Sequence, residues 1–135
     1  MSGAQQKQVD REDPLFLPFW EGTEAGELRV QQCGNCGKHR WPPRPICANC
    51  HSPDTRWVAV EPEGTLFTWT VVGHQTVAGV TPPYAVGLVE LPTHGLRLLG
   101  QIVGVEPSKL VIGMALRARF EASGAGVTLC NWTPA

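Results

Sequence analysis

Residues 33 to 50, CGNCGKHRWPPRPICANC, hold four of the chain's five cysteines in two CxxC pairs separated by ten residues. Two residues between paired cysteines let one tight turn aim both sulfurs at a point, and two such turns close a tetrahedral thiolate site. The sequence contains no apolar run of about 18 residues, and its first thirteen residues lack the apolar core of a signal peptide. A soluble, cytoplasmic chain is therefore expected. In a reducing compartment paired cysteines serve as metal ligands more readily than as disulfides, so disulfide bonding is the weakest of the readings. Cys33, Cys36, Cys47 and Cys50 are expected to bind one structural zinc ion per chain, because four thiolates leave no coordination position open for catalysis. Iron in a rubredoxin-like site is the alternative, and it would make the chain an electron carrier.

The surroundings of the pairs refine this picture. Gly37 follows the first pair and supplies the backbone freedom that such a turn requires. His51 follows the second pair, so the second turn is expected to be distorted while still binding metal. With four cysteines present, His39 and His51 are read as surface or outer hydrogen-bonding groups and not as ligands. Pro42, Pro43 and Pro45 stiffen the connection between the pairs. From Leu28 to Val60 there are five basic residues and one acidic residue, against six basic and eleven acidic elsewhere. A zinc ion with four thiolates carries a net charge of about −2, which offsets half of that local excess.

Four regions follow from the pattern. Residues 1–13 are polar, aperiodic and expected to be a disordered leader. Residues 14–28 hold a short helix beginning near Pro18, marginal by itself because of Gly22 and Gly26, with Phe16, Phe19 and Trp20 needing a surface to pack on. The zinc ribbon spans 29–60. Over 61–135 the hydrophobic period becomes two: "GTLFTWTVVG" places Phe67, Trp69 and Val71 on one face, and "MALRARFE" places Met114, Leu116, Ala118 and Phe120 opposite Arg117, Arg119 and Glu121. "YAVGLVEL" and "LRLLGQIV" form a hairpin across Pro92 to Gly95, EPSKL a helical turn, and "VTLCNWT" a last strand. The fold class is mainly β: a short N-terminal helix, a four-cysteine zinc ribbon and a five-stranded OB-fold barrel.

The chemistry-bearing residues of the barrel are sparse. The longest connection, "GHQTVAGVTPP" (73–83), is the natural ligand or partner loop of such a barrel. His74 there reads as solvated, Cys130 as a small buried hydrophobe, and His94 in a turn carries no assigned role. No glycine-framed serine, phosphate-cradling loop or paired carboxylates stand out, which favours binding or scaffolding over catalysis. Ribbons and OB barrels also bind nucleic acid, so a nucleic-acid-binding protein is the alternative function. It needs a clustered positive face, whereas the barrel segment is acidic and the formal net charge of the chain is −1.

The order FWEG and GEL, then QxCxxCGxxxxPPRPxCxxC, then "GTLFTWTVV", "PPYAVGLVEL", "LLGQIVGV" and "IGM", resembles a family that joins a rubredoxin-like zinc ribbon to an acyl-CoA-associated OB-fold. The family was long described as a domain of unknown function, and the likeness spans residues 14–133. It implies a non-catalytic accessory subunit of an acyl-CoA-processing enzyme. The partner would be a separate chain, a thiolase-fold enzyme (thiolase or retro-aldolase) or a hydratase, acting on CoA thioesters in steroid or aromatic side-chain degradation. A hetero-oligomer of two plus two chains is the expected assembly, with no nucleic acid and no membrane involved. On that reading Phe19, Trp20, Trp41 and Pro43 are candidate anchors for the partner, and Arg40 and Arg44 are candidate contacts for the phosphates of CoA. His51 and Ser52 depart from the small residue that family members commonly carry after the second pair.

Overall fold

The computed structural model of the protein describes residues 9–76, 79–123 and 126–135. The expected leader lies outside the described residues as far as residue 8. Beyond it, Arg11 ties the chain down: its Nε and Nη2 donate to the two carboxylate oxygens of Glu24 at 2.7 and 2.8 Å. The Asp13 carboxylate accepts the Leu15 amide at 3.0 Å and its carbonyl accepts those of Phe16 and Leu17, which turns the chain into helix α1, Leu17–Glu24. Pro18 sits in the first turn, where its missing N–H leaves no bond unmade. The helix begins beside Pro18 as expected and ends at Glu24, because Gly26, at φ 75°, takes the left-handed position just past its end. Gly26 N–H then reaches Thr23 O at 3.1 Å and Glu27 N–H reaches Gly22 O at 2.8 Å, the paired bonds of a Schellman closure.

The ribbon that follows is a three-stranded antiparallel sheet, in order β2-β1-β3, made of β1 (Leu28–Cys33), β2 (His39–Arg40) and β3 (Thr55–Val60). Strands β4 (Glu63–Val72), β5 (Tyr84–Leu91), β6 (Leu96–Ile102), β7 (Ala115–Ala122) and β8 (Thr128–Pro134) then close a barrel in the order β4-β5-β6-β8-β7. Every pairing is antiparallel except β6 with β8, which meet in parallel at Ile102 and Trp132. A 3-10 turn at Pro107–Lys109 carries the chain from β6 to β7, where EPSKL was expected to bend. This is the five-stranded OB arrangement.

The strand faces need one correction. Phe67 does not share a face with Trp69 and Val71, because a β-bulge falls between Leu66 and Thr68; beyond it Trp69 pairs with the buried Gly87 and packs against the core. The extra residue reverses the alternation at that point, so Leu66 is buried at 1% exposure while Phe67 turns outward at 40%. The guanidinium of Arg97 stacks over the Phe67 ring, 3.8 Å from its centroid, and covers part of what the bulge exposes. In β7 the expected alternation holds, with Leu116 buried and Arg117 and Arg119 exposed.

One contiguous core joins all three parts: Phe19 of α1 and Leu28 and Val30 of the ribbon pack in the same cluster as Leu66, Val89, Leu98 and Trp132 of the barrel. Trp132 has no exposed surface, and its indole fits only because position 100 on the neighbouring strand has no side chain. A Cβ on Gly100 would lie 2.7 Å from Trp132 Cδ1 and 3.1 Å from Cys130 O. Among the described residues no helix is long and apolar enough to cross a membrane.

Gly100→Ala should therefore cost about 1–3 kcal/mol in urea unfolding, the range for overpacking a filled core. Gly73→Ala, where nothing lies within 4 Å of the added carbon, should stay within about 0.5 kcal/mol of the parent. Equal stabilities of the two variants would show that Trp132 can repack without strain.

Candidate metal centre and apolar cleft

Both turns are built the same way. In the first, the amides of Asn35 and Cys36 donate to Cys33 Sγ, each at 3.4 Å, and Gly37 N–H closes on Cys33 O at 3.0 Å. In the second, His51 N–H closes on Cys47 O at 2.9 Å. The closing residue is left-handed in each case, Gly37 at φ 79° and His51 at φ 65°. The expected distortion of the second turn is absent; His51 adopts the conformation that glycine takes in the first, at an energetic cost that glycine does not incur.

These turns bring the four sulfurs within 4.8 Å of one another, with Cys33 to Cys50 at 3.5 Å and Cys36 to Cys47 at 3.7 Å. A disulfide requires about 2.05 Å, so these are not disulfides. A tetrahedron of sulfurs about 2.3 Å from a central zinc has edges near ~3.75 Å, which these separations match. The donor set, four thiolates and no carboxylate or imidazole, suits zinc in a closed structural site. Backbone N–H groups also favour the thiolate form: the amide of Lys38, helped by the Asn49 side chain, holds Cys36 below its ordinary value, and those of Cys50 and Asn49 do the same for Cys47.

Two ligand-orienting residues escaped the sequence reading. Asn35 of the first turn donates its side-chain amide to Cys50 Sγ at 3.5 Å, and Asn49 of the second donates to Cys36 Sγ at 3.6 Å. Each turn thus braces a sulfur of the other. The signal was present, since both pairs read C-x-N-C. Gln31 was missed as well: 2% exposed, its Oε1 accepts Arg40 Nε at 2.8 Å and Arg44 N at 2.7 Å, clamping the proline-rich loop onto β1.

The candidate binding residues separate into two groups. Arg40 turns back into the ribbon, its Nη2 donating to Arg44 O at 2.9 Å and to Thr55 Oγ1, while Arg44 stays exposed. Phe19 and Pro43 are buried in the chain's own interior. Phe19 stacks against Trp41, ring centroids 4.9 Å apart, and against Trp20 at 5.0 Å. Trp20 and Trp41 are only half-buried and line a cleft of about 450 Å³ between α1 and the outer surface of the barrel. Phe16, Tyr84, Leu99 and Cys130 complete much of its wall. Burial pushes the Cys130 thiol up to about 12, so it packs in its protonated form. His39 and His94 meet edge to face, centroids 4.7 Å apart, joining ribbon to barrel; burial, then the nearby His94, hold His39 below the usual imidazole value. His74 is exposed.

A rubredoxin-type ribbon that shares one core with an OB barrel, and carries a closed four-thiolate site, defines a class of small zinc-ribbon/OB-fold proteins. Residues 20–56 match the model of the ChsH2 rubredoxin-like zinc ribbon domain and residues 57–121 that of the ChsH2 C-terminal OB-fold domain. The chain belongs to the ChsH2/DUF35 family: it is 33% identical over 112 residues to a DUF35 domain-containing scaffold protein of Methanocaldococcus jannaschii, covering 80% of this chain and 78% of that one. It is also 37% identical over 102 residues to a 3-oxo-4,17-pregnadiene-20-carboxyl-CoA hydratase alpha subunit of Mycobacterium tuberculosis, covering 76% of this chain and 32% of that one. A probable enoyl-CoA hydratase alpha subunit of Thermomonospora curvata is 37% identical over 120 residues, 87% of this chain and 37% of that one. The chain spans about a third of the length of these two hydratase relatives. Among solved structures, a chain of an Ltp2-ChsH2(DUF35) aldolase superposes with a TM-score of 0.82 over 98% of both chains at 28% identity.

His51→Gly should stabilise the zinc-loaded chain by about 1 kcal/mol in urea unfolding, by relieving the left-handed strain. A loss of stability would mean that the imidazole makes a contact that outweighs the strain. Stripping the metal with a chelator should abolish hydrogen-exchange protection of the β1 and β2 amides, and readdition of one zinc per chain should restore it. Protection that persists without metal would show that packing alone holds the ribbon.

Proposed function

We propose that this chain is a non-catalytic accessory subunit of an acyl-CoA-processing complex, bound to a separate thiolase-fold enzyme chain of the thiolase or retro-aldolase kind. The observation that carries this reading is the end-to-end match to the ChsH2(DUF35) type of chain named together with Ltp2 in an aldolase. The scaffold name of the archaeal relative supports a bracing role, and the hydratase names of the other two make a hydratase the second possible partner. The substrate is then a CoA thioester, with a steroid-like or aromatic side chain as the favoured class, since one relative is named for a pregnadiene carboxyl-CoA. The assembly is two copies of this chain on a two-fold enzyme core.

Physical reasoning assigns the partner's seat to the half-buried aromatics. Trp20 and Trp41 both rest on the buried Phe19, so they are held in place and lose little side-chain entropy on being covered. The contact would serve to fix the enzyme chain's shape around its acyl-CoA.

The test is an affinity pull-down of the tagged chain from its native host at near-physiological salt, with identification of whatever co-purifies. Stoichiometric recovery of a thiolase-fold or hydratase chain is expected, and Trp20→Ala should weaken its binding by about thirtyfold or more, the effect of a hot-spot residue. Turnover of an acyl-CoA by the isolated chain, or recovery of nucleic acid in place of an enzyme, would overturn the reading.

A further inference from the structure

Strand β4 has two halves with different neighbours. Glu63, Gly64 and Thr65 pair with β7, and Leu66 is held by the turn before β7, its N–H donating to Met114 O at 3.0 Å and its carbonyl accepting Gly113 N–H at 2.7 Å. From Thr68 to Val72 the strand pairs with β5 alone, in a register that runs without a shift beyond the bulge. Among the described residues nothing pairs with the other side of that stretch. Alternate residues of a strand turn their N–H and C=O groups to opposite sides, so part of this main chain faces outward with no strand to receive it.

The stretch has none of the features that keep such an edge single. Natural edges carry lysine, proline or a bulge. The residues TWTVV have no charge and no proline, they favour strands, and the bulge falls before them. Apolar surface gathers at the same place. Phe67 and Val71, 40% and 47% exposed, lie on β4 itself. Val111 and Ile112, 63% and 69% exposed, stand on the tight turn that Met114 N–H closes onto Val111 O and that Gly113 fastens to Leu66. Four of the seven exposed large apolar side chains among the described residues thus border one strand edge, which marks it as a surface to be covered. None of the four lines the aromatic cleft.

We propose that this edge pairs with the same edge of a second copy of the chain, antiparallel about a two-fold axis. The register that sets Thr70 opposite its own counterpart keeps like faces together. Trp69 then lies opposite the second copy's Val71 on the core-side face, and Thr68 opposite its Val72 on the outer face. Aromatic with β-branched and threonine with threonine are favourable cross-strand pairs, and in an isologous contact each is made twice. The edge is also its own complement in charge. Glu63, the nearest charge on the strand, lies in the half that β7 covers, and Arg97 over Phe67 is paired with Glu90 at 3.0 Å, so no like charges meet. The pairing goes beyond the accessory-subunit reading, and it leaves the aromatic cleft open in both copies.

The experiment is sedimentation equilibrium of the zinc-loaded full chain from about 5 µM to about 1 mM, with amide hydrogen exchange at both ends of that range. One strand and one turn per copy make a small contact, so a dimer with a Kd of about 10–100 µM is expected. The added protection at high concentration should centre on residues 68–72. Thr70→Lys, which sets two like charges on the axis, should raise the Kd about tenfold or more, with zinc content unchanged and the dilute chain still folded. Thr70→Val, which keeps the strand preference, should dimerise at least as well as the parent. Leu99→Lys, at an exposed position on the cleft wall, should leave the dimer unaltered. A monomer throughout the range or a Thr70→Lys chain that dimerises as the parent does would overturn the proposal. Loss of the dimer in Leu99→Lys would do so too, by moving the contact to the cleft. Protection of residues 68–72 that appears only when the co-purified enzyme chain is added would give the edge to that enzyme and likewise sink the pairing. No enzyme enters the sedimentation measurement, so its failure leaves the pull-down outcome untouched, and the reverse is also true.

Discussion

Closure of two cysteine turns on one metal is the constraint that the ribbon depends on. Between Leu28 and Val60 the fully buried apolar side chains are few, chiefly Leu28 and Val30 with the sulfurs of Cys33 and Cys47, too small a core to order about thirty residues by burial alone. The thiolate site replaces that missing core. Once the turns are closed, Gln31 can hold the proline-rich loop against β1, the loop sets Trp41, and Trp41 receives Phe19 of the helix. A local coordination requirement is thereby transmitted to the surface that lines the aromatic cleft.

The barrel has the opposite economy. Its strands supply enough buried surface for a conventional core around Trp132, and its electrostatics are ordinary surface pairs such as Arg97 with Glu90. Joining the two solves a difficulty for each: the ribbon's Leu28 and Val30 gain neighbours they could not find alone, and the helix finds a platform. The half-buried tryptophans lie on the ribbon and helix side, Trp41 on the loop between the cysteine turns and Trp20 on the helix that packs through Phe19. Rigid placement of side chains at modest core cost is what a bracing subunit requires.

Much of this was legible in the sequence for plain reasons. The cysteine spacing states a geometry directly, because only two intervening residues let both sulfurs face one metal. Period-two runs bounded by Gly and Pro gave the strands, and β5 falls on YAVGLVEL residue for residue. The failures were also physical. Phe67 was put on the face of Trp69 since alternation cannot reveal an extra bulge residue, which is decided by pairing with β5. His51 was expected to distort its turn, since residue preference says how costly the left-handed conformation is, not whether the metal site enforces it.

The sequence by itself determined the ligands, the strand count and the family, all of which depend on spacing along one chain. Only the tertiary structure decided which groups remain free to act. Phe19 and Pro43 looked as available as Trp20 and Trp41, and Arg40 as available as Arg44, until packing buried the first two and Gln31, Thr55 and the Arg44 carbonyl immobilised Arg40. Availability is a property of what surrounds a side chain. Those surroundings come from residues distant in sequence, so no local pattern could state them.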